Sequence, residues 1–282
     1  MIRVETIKEL KAILRAEREK GHTIGFVPTM GYLHEGHMTL VDEATKSNDC
    51  VVMSIFVNPL QFGPTEDFDS YPRDLERDAL RAKERGVTIL FTPNEEEMYK
   101  RKMSATLQVH DGVNVLCGAK REGHFDGVAT VVMKLLNIVS PTHAYFGKKD
   151  AQQVAIIWRM VEDFEMDVTI VPVDIVREED GLAMSSRNVR LTPYERKEAP
   201  RIYALLKHAI AQSQTVEELL DVAFKQAHEL ELAELDYVEL RTFPDLKEAT
   251  KLEGQLILAI AMNYEHARLI DNIIWEPTRK DR

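Results

Sequence analysis

His34 and His37 stand three residues apart in the run Pro28-Thr29-Met30-Gly31-Tyr32-Leu33-His34-Glu35-Gly36-His37. If a helix opens here, both imidazoles share a face beside amide N–H groups that no helical carbonyl satisfies. Those amides and the positive end of the helix dipole attract phosphate. Gly31 and Gly36 let backbone approach a ligand closely. The two imidazoles can then donate hydrogen bonds to phosphoryl oxygens as charge develops on them. A zinc pair competes with this reading, but the helical metalloprotease pattern needs a spacing of four, and no third ligand stands nearby in the sequence. Two surface histidines without a role are the remaining alternative. A place between glycines and just after a strand favours phosphate.

Three other clusters could serve the same chemistry. Asn58-Pro59-Leu60-Gln61-Phe62 offers amides that can orient a small hydroxy acid, or a plain Asn-Pro turn. In Gly147-Lys148-Lys149-Asp150, Lys149 lies between a glycine and an expected helix start, within reach of a phosphate, while Asp150 suits an N-cap. Met184-Ser185-Ser186-Arg187 brings hydroxyls and a guanidinium that can grip a leaving pyrophosphate, or cap a short helix. Asp78, in a charged helix, is a candidate magnesium ligand or a solvated surface group.

The elements that must position these groups alternate between short apolar runs and helical patterns. Strands are expected at 23–28, 50–57, 87–91, 143–146 and 168–173. Helices are expected at 8–20, 39–46, 74–85, 127–139 and 151–165. This alternation predicts an α/β fold with a doubly wound parallel sheet over residues 1–176. The charged turn Arg177-Glu178-Glu179-Asp180-Gly181 reads as a boundary. Beyond it, helical patterns at 193–212 and 216–230 and strands at 236–241, 256–262 and 269–275 predict a smaller α+β domain, 177–282, that closes over the active site.

Composition narrows the class. The chain has 282 residues, 44% of them hydrophobic, with 36 basic against 47 acidic side chains and a net charge of -11. That balance argues against wholesale nucleic-acid binding, which needs a basic face. Cys50 and Cys117 form no Cys-x-x-Cys pair, so neither a disulfide framework nor a zinc ribbon is expected. The charged opening run does not suit a signal peptide, and no apolar stretch approaches membrane-spanning length. A cytoplasmic enzyme without membrane or nucleic-acid partners is the expectation.

Together the motifs carry a resemblance. His34-Glu35-Gly36-His37 is similar to the HIGH motif of the nucleotidylyltransferase and class I aminoacyl-tRNA synthetase superfamily. The longer run from Pro28 resembles the pantoate–β-alanine ligase family. The likeness continues through Ser54-Ile55-Phe56-Val57-Asn58-Pro59, Gln61-Phe62, Gly123-His124-Phe125, Gly147, Lys149-Asp150 and Met184-Ser185-Ser186-Arg187. The last is similar to the KMSKS signature, with Arg187 as the cation. This resemblance implies a Rossmann-like fold, ATP as substrate with Mg2+, ligation of pantoate to β-alanine through a pantoyl adenylate, and a homodimer.

By the same resemblance, ATP is contacted by Met30, Gly31, Tyr32, Leu33, His34, Glu35, Gly36 and His37, and by Gly147, Lys148, Lys149 and Asp150. Val176, through its backbone, and Met184, Ser185, Ser186 and Arg187 complete that set. Gln61, Gln153 and Asn58 are implied on the pantoate and β-alanine side. His34, His37, Lys149 and Arg187 are the implied catalytic groups, with His37 as acid/base. The chain departs from the family pattern at Leu60 (usually Thr), Glu122 (usually Pro) and Lys148 (often acidic or an amide). The competing readings are a one-step nucleotidylyltransferase, which has no need of Gln61 and Gln153, and a noncatalytic nucleotide-sensing or metal-binding module.

Overall fold

A computed structural model describes residues 1–64 and 66–277. It divides into two units. The first holds Met1–His110, Arg121–Lys148 and Ile156–Asp174. The second holds Asp111–Lys120, Lys149–Ala155 and the described residues from Ile175 onward. The chain passes for the last time between units at Asp174 and Ile175, beside the expected boundary, while two short earlier stretches also group with the second unit.

Six parallel strands build the first unit: β1 (Ile2–Val4), β2 (Ile24–Thr29), β3 (Cys50–Ile55), β4 (Ile89–Phe91), β5 (His143–Gly147) and β6 (Thr169–Val173). Their order is β1-β4-β3-β2-β5-β6. Parallel neighbours require crossovers, which bury both sheet faces. Accordingly Cys50 to Met53 and all of β4 are buried. The crossovers include α1 (Ile7–Glu19), α2 (Glu35–Ser47), α3 (Leu75–Glu84), the short α4 (Glu95–Met98), α5 (His124–Val139) and α6 (Ala151–Asp163), which begins among residues of the second unit. The expected doubly wound class is the one the chain adopts.

Strand order reverses between β2 and β5, and ligands bind beyond the carboxyl ends of strands at such a switch point. The histidine run leaves β2 there, the Asn58 turn leaves the adjacent β3, and Gly147-Lys148 leaves β5.

Several boundaries differ from expectation for identifiable reasons. The strand β1 is absent from the sequence reading because three residues carry no period; pairing with β4 creates it. The helix expected from Thr39 starts at Glu35, capped by His34. The helix expected at 193–212 is two, α7 (Pro193–Glu198) and α8 (Arg201–Gln212), separated where Pro200 lacks an amide donor.

In the second unit β7 (Glu234–Thr242), β8 (Leu256–Asn263) and β9 (Arg268–Trp275) form an antiparallel sheet with β8 central. A core containing Leu205, Leu206, Leu219, Leu256, Leu258 and Ile260 joins this sheet to α8 and α9 (Val216–Ala227). Thr215 and Glu218 start α9 with a reciprocal capping box.

One close approach shapes the ligand edge of the first unit. A Cβ at Gly127 in α5 would lie 2.1 Å from the Leu60 carbonyl oxygen and 2.7 Å from the Gln61 nitrogen. Only glycine lets α5 come this near the Asn58 turn. Gly127→Ala should therefore destabilise by about 1–3 kcal/mol through overpacking, more than the ~1 kcal/mol that alanine's helix propensity returns. Urea unfolding reads the difference, and a stabilised variant would show that the turn yields.

Candidate active site

The histidine run is held in place by α3. Gly31 has φ 87° and Tyr32 φ 49°, two successive left-handed residues that a free chain would avoid. A side chain at Gly31 would meet Ile55 Cγ2 at 2.9 Å, so glycine is required. The Asp78 carboxylate accepts the Tyr32 amide at 2.6 Å and the Leu33 amide at 2.8 Å. On the other side of the same residue, the Leu33 carbonyl accepts from Arg77 at 3.0 Å and Arg81 at 3.1 Å. The Arg77 guanidinium also lies 4.8 Å from the Tyr32 ring centre.

Asp78, expected as a magnesium ligand, is thus placed as the anchor of this loop, only 1% exposed and with an amide on each oxygen. Burial pushes its carboxyl above the usual range, against the opposing pull of the Leu33 and Tyr32 amides and the Arg77 charge. Among the described residues no group of three or more His, Cys, Asp or Glu side chains converges as a metal site.

At the start of α2 the two histidines cap the helix reciprocally. The Gly36 amide donates to His34 Nδ1 at 3.1 Å, and the His34 amide donates to His37 Nδ1 at 3.3 Å. An amide can only donate, so each Nδ1 presents a lone pair and each neutral ring carries its proton on Nε2. The rings lie 4.0 Å apart, centre to centre. Both are thereby prepared as N–H donors at a helix start. The Glu35 side chain pairs with Arg81 and Arg85 of the α3 region, each at 2.5 Å.

The Asn58 turn forms an amide cluster on the same edge. Asn58 is 1% exposed and donates to Gln61 Oε1 at 3.1 Å and to the Gly127 carbonyl at 3.2 Å. Its own Oδ1 accepts from the Leu60 amide at 3.3 Å and from the Tyr99 hydroxyl at 2.7 Å. Burial raises the Tyr99 phenol far above its ordinary value and keeps it a donor. Asn58 therefore orients Gln61, whose Nε2 lies 3.4 Å from Met30 Sδ. Tyr99, Arg77 and Arg81 were not legible as site residues.

Gly147 and Lys148 belong to the first unit, where Lys148 pairs with Asp174 at 2.6 Å. Lys149, Asp150, Gln153, Val176 and the 184–187 run belong to the second. Asn272 of β9 donates to the Lys149 carbonyl at 3.0 Å, and the Lys149 ammonium lies 3.8 Å from the Asp150 carboxylate. Gln153 is half-buried, whereas its neighbour Gln152 is buried and holds the carbonyls of Gly112 and Val115 at 2.7 and 2.8 Å. Arg177 donates to both oxygens of Asp271 at 2.6 and 2.8 Å and stacks 3.5 Å from the Tyr203 ring centre. It thereby fixes the turn in which the Met184 amide meets the Val176 carbonyl at 3.0 Å. Ser185 caps the short 3-10 helix Ser186–Arg190 by accepting the Arg187 amide at 3.2 Å.

The family model described as pantoate-beta-alanine ligase matches residues 2–274. The pantothenate synthetase of Bacillus subtilis (strain 168) is 52% identical over 285 residues, covering 100% of both chains. That of Bacillus pumilus is 54% identical, covering 96% of each. The crystal structure of pantothenate synthetase from Thermus thermophilus superposes with a TM-score of 0.91 at 44% identity, over 97% of this chain and 99% of that one. A pantoate-beta-alanine ligase structure from Francisella tularensis, complexed with beta-gamma ATP and beta-alanine, gives 0.81 at 36% identity over 97% of each.

Asp78→Ala leaves two loop amides without their acceptor and is expected to cost about 2–5 kcal/mol of stability. A loss within about 0.5 kcal/mol in urea unfolding would show that α3 does not hold the loop. The sign of the pH effect follows from burial. A carboxyl raised in the folded state favours folding below its unfolded value of about 3.9, and that contribution is lost as pH rises through the folded value. Stability relative to Asp78→Asn should therefore fall across that window; a rise would reverse the assignment.

Proposed function

The chain belongs to the pantoate-beta-alanine ligase family, and from that premise we infer how its residues divide the reaction. It is an ATP-dependent ligase that joins pantoate to β-alanine through a pantoyl adenylate, releasing pyrophosphate and then AMP. The observation that supports the division is the reciprocal capping of His34 and His37, which leaves both rings as Nε2–H donors.

In the first half-reaction a pantoate carboxylate oxygen attacks the α-phosphorus of ATP, and the bond to the pyrophosphate oxygen breaks. The nucleophile is already an anion, so positioning and charge stabilisation replace base catalysis. We assign His34, His37, Lys149 and Arg187 to the phosphoryl oxygens. The remaining backbone of Met30 to Gly36, Gly147 to Asp150, Val176 and Met184 to Ser186 is assigned to ATP. Gln61 and Gln153 are assigned to pantoate, with Asn58 orienting Gln61. Magnesium, when bound, neutralises the triphosphate. Asp78, 1% exposed and held by a loop amide on each oxygen, is assigned to anchoring the loop rather than to the metal.

In the second half-reaction the β-alanine amine attacks the acyl carbon, the bond to the phosphate oxygen of AMP breaks, and the proton lost by the amine passes to water. A neutral His37 offers that phosphate a hydrogen bond but has no lone pair at Nε2. Its acid/base duty therefore narrows to donation. We further propose a homodimer, which sedimentation velocity reads directly, and a cytoplasmic place of action. The functional division we propose places most nucleotide and pantoate contacts on residues 1–176, with 177–282 as the second domain, which contributes Met184 to Arg187. Among the described residues no helix is long and apolar enough to cross a membrane.

ATP–pyrophosphate exchange should depend on pantoate, and β-alanine should then release AMP. Exchange indifferent to pantoate would sink the substrate assignment. His37→Ala should lower kcat by about 10²–10³-fold, the cost of removing one charge-stabilising donor. His37→Gln, whose amide can donate from a similar position, should retain more activity. Equal losses in the two variants would return His37 to proton transfer.

A further inference from the structure

The peptide of Gln61 is held from behind by a chain of side chains that the reaction itself does not use. The Gln61 carbonyl contacts His124 Nδ1 at 2.7 Å. A carbonyl only accepts, so that nitrogen carries the proton. On the other side of the ring, Arg121 Nη1 lies 2.9 Å from His124 Nε2. A guanidinium only donates, so that nitrogen presents its lone pair. The two neighbours together select one neutral tautomer of a ring that is 9% exposed.

Arg121 is itself fixed by a two-pronged pair with Glu66, Nε to Oε1 at 2.8 Å and Nη2 to Oε2 at 2.5 Å. Burial works against the Glu66 charge, but the hydrogen bond and charge of Arg121 outweigh it and hold the carboxyl below its usual range. The direction of donation therefore runs without a break: Arg121 to Glu66 on one arm, and Arg121 to His124 to the Gln61 carbonyl on the other. His124 also begins α5, whose Gly127 lies against the same turn, so ring and helix press on the two peptides that flank Gln61.

We propose that Glu66, Arg121 and His124 are positioning residues that set where the Gln61 amide stands and thereby tune affinity for the hydroxy acid. This rests on the assignment of Gln61 to pantoate made above. A binding amide must be held within a fraction of an ångström to discriminate between small ligands, and a turn peptide with one unanchored carbonyl would not hold it.

Steady-state kinetics on the full chain test the proposal. His124→Ala should raise the pantoate KM about tenfold, the effect of one unpaired buried acceptor, and leave the ATP KM within about twofold. His124→Asn, whose side-chain amide can donate to the Gln61 carbonyl, should recover most of the loss. Glu66→Gln, a milder change at a partly exposed position, should raise the pantoate KM about threefold with unaltered thermal midpoint. Parallel rises in both KM values, or no rescue by asparagine, would overturn the relay. Gln61→Ala separates the two layers. An unchanged pantoate KM in that variant would remove the substrate assignment, and this proposal with it. A raised one, alongside an unaffected His124→Ala, would reject the relay alone.

Discussion

A buried carboxylate sets the geometry on which the histidine run of the first unit depends. Asp78 places both oxygens on the amides of Tyr32 and Leu33, while Arg77 and Arg81 from the same helix take the Leu33 carbonyl. Without that grip, two successive left-handed residues would relax, since a non-glycine residue there costs on the order of 1–2 kcal/mol. The next residue after Leu33, His34, opens α2. A shift in the loop would therefore move the helix start, its amides and both imidazoles together.

Local capping then decides protonation at atomic level. Helix N-termini commonly borrow a side-chain oxygen to satisfy their amides. Here imidazole Nδ1 atoms accept those hydrogen bonds, which places the ring protons on Nε2. The same backbone groups that favour phosphate thus also settle what the rings can do to it. The cap geometry fits the charge-stabilising role proposed for them, whereas a base at Nε2 would need the opposite tautomer.

The second unit solves a comparable problem with an ion pair. Asp271 and Asn272 are adjacent on β9, and they hold the Arg177 guanidinium and the Lys149 carbonyl respectively. One buried dipeptide thereby fixes the backbone beside a proposed phosphate lysine and the turn leading to Ser185. Such a pair has little slack: removing one partner strands the other charge in a low-dielectric setting.

The alternation of apolar runs and helical periods was enough to identify the parallel sheet and the smaller α+β part, because those patterns are local and repeat over whole elements. Glycine and histidine at His34-Glu35-Gly36-His37 likewise marked a helix start, since the helix-terminus physics is local too. Other assignments had no local signature. Nothing in the charged run of α3 set Asp78 apart from its solvated neighbours, and Gln152 and Gln153 are indistinguishable as adjacent glutamines. Their roles depend on which partner lies across the fold: Asp78 reaches back to a loop 45 residues earlier at Leu33, and Gln152 to carbonyls at Gly112 and Val115. Sequence thus determined the elements and, through the histidine run and its companion motifs, the family. Tertiary structure alone decided which carboxylate became an anchor and which amide turned inward, because burial and long-range hydrogen bonds exist only once distant segments meet.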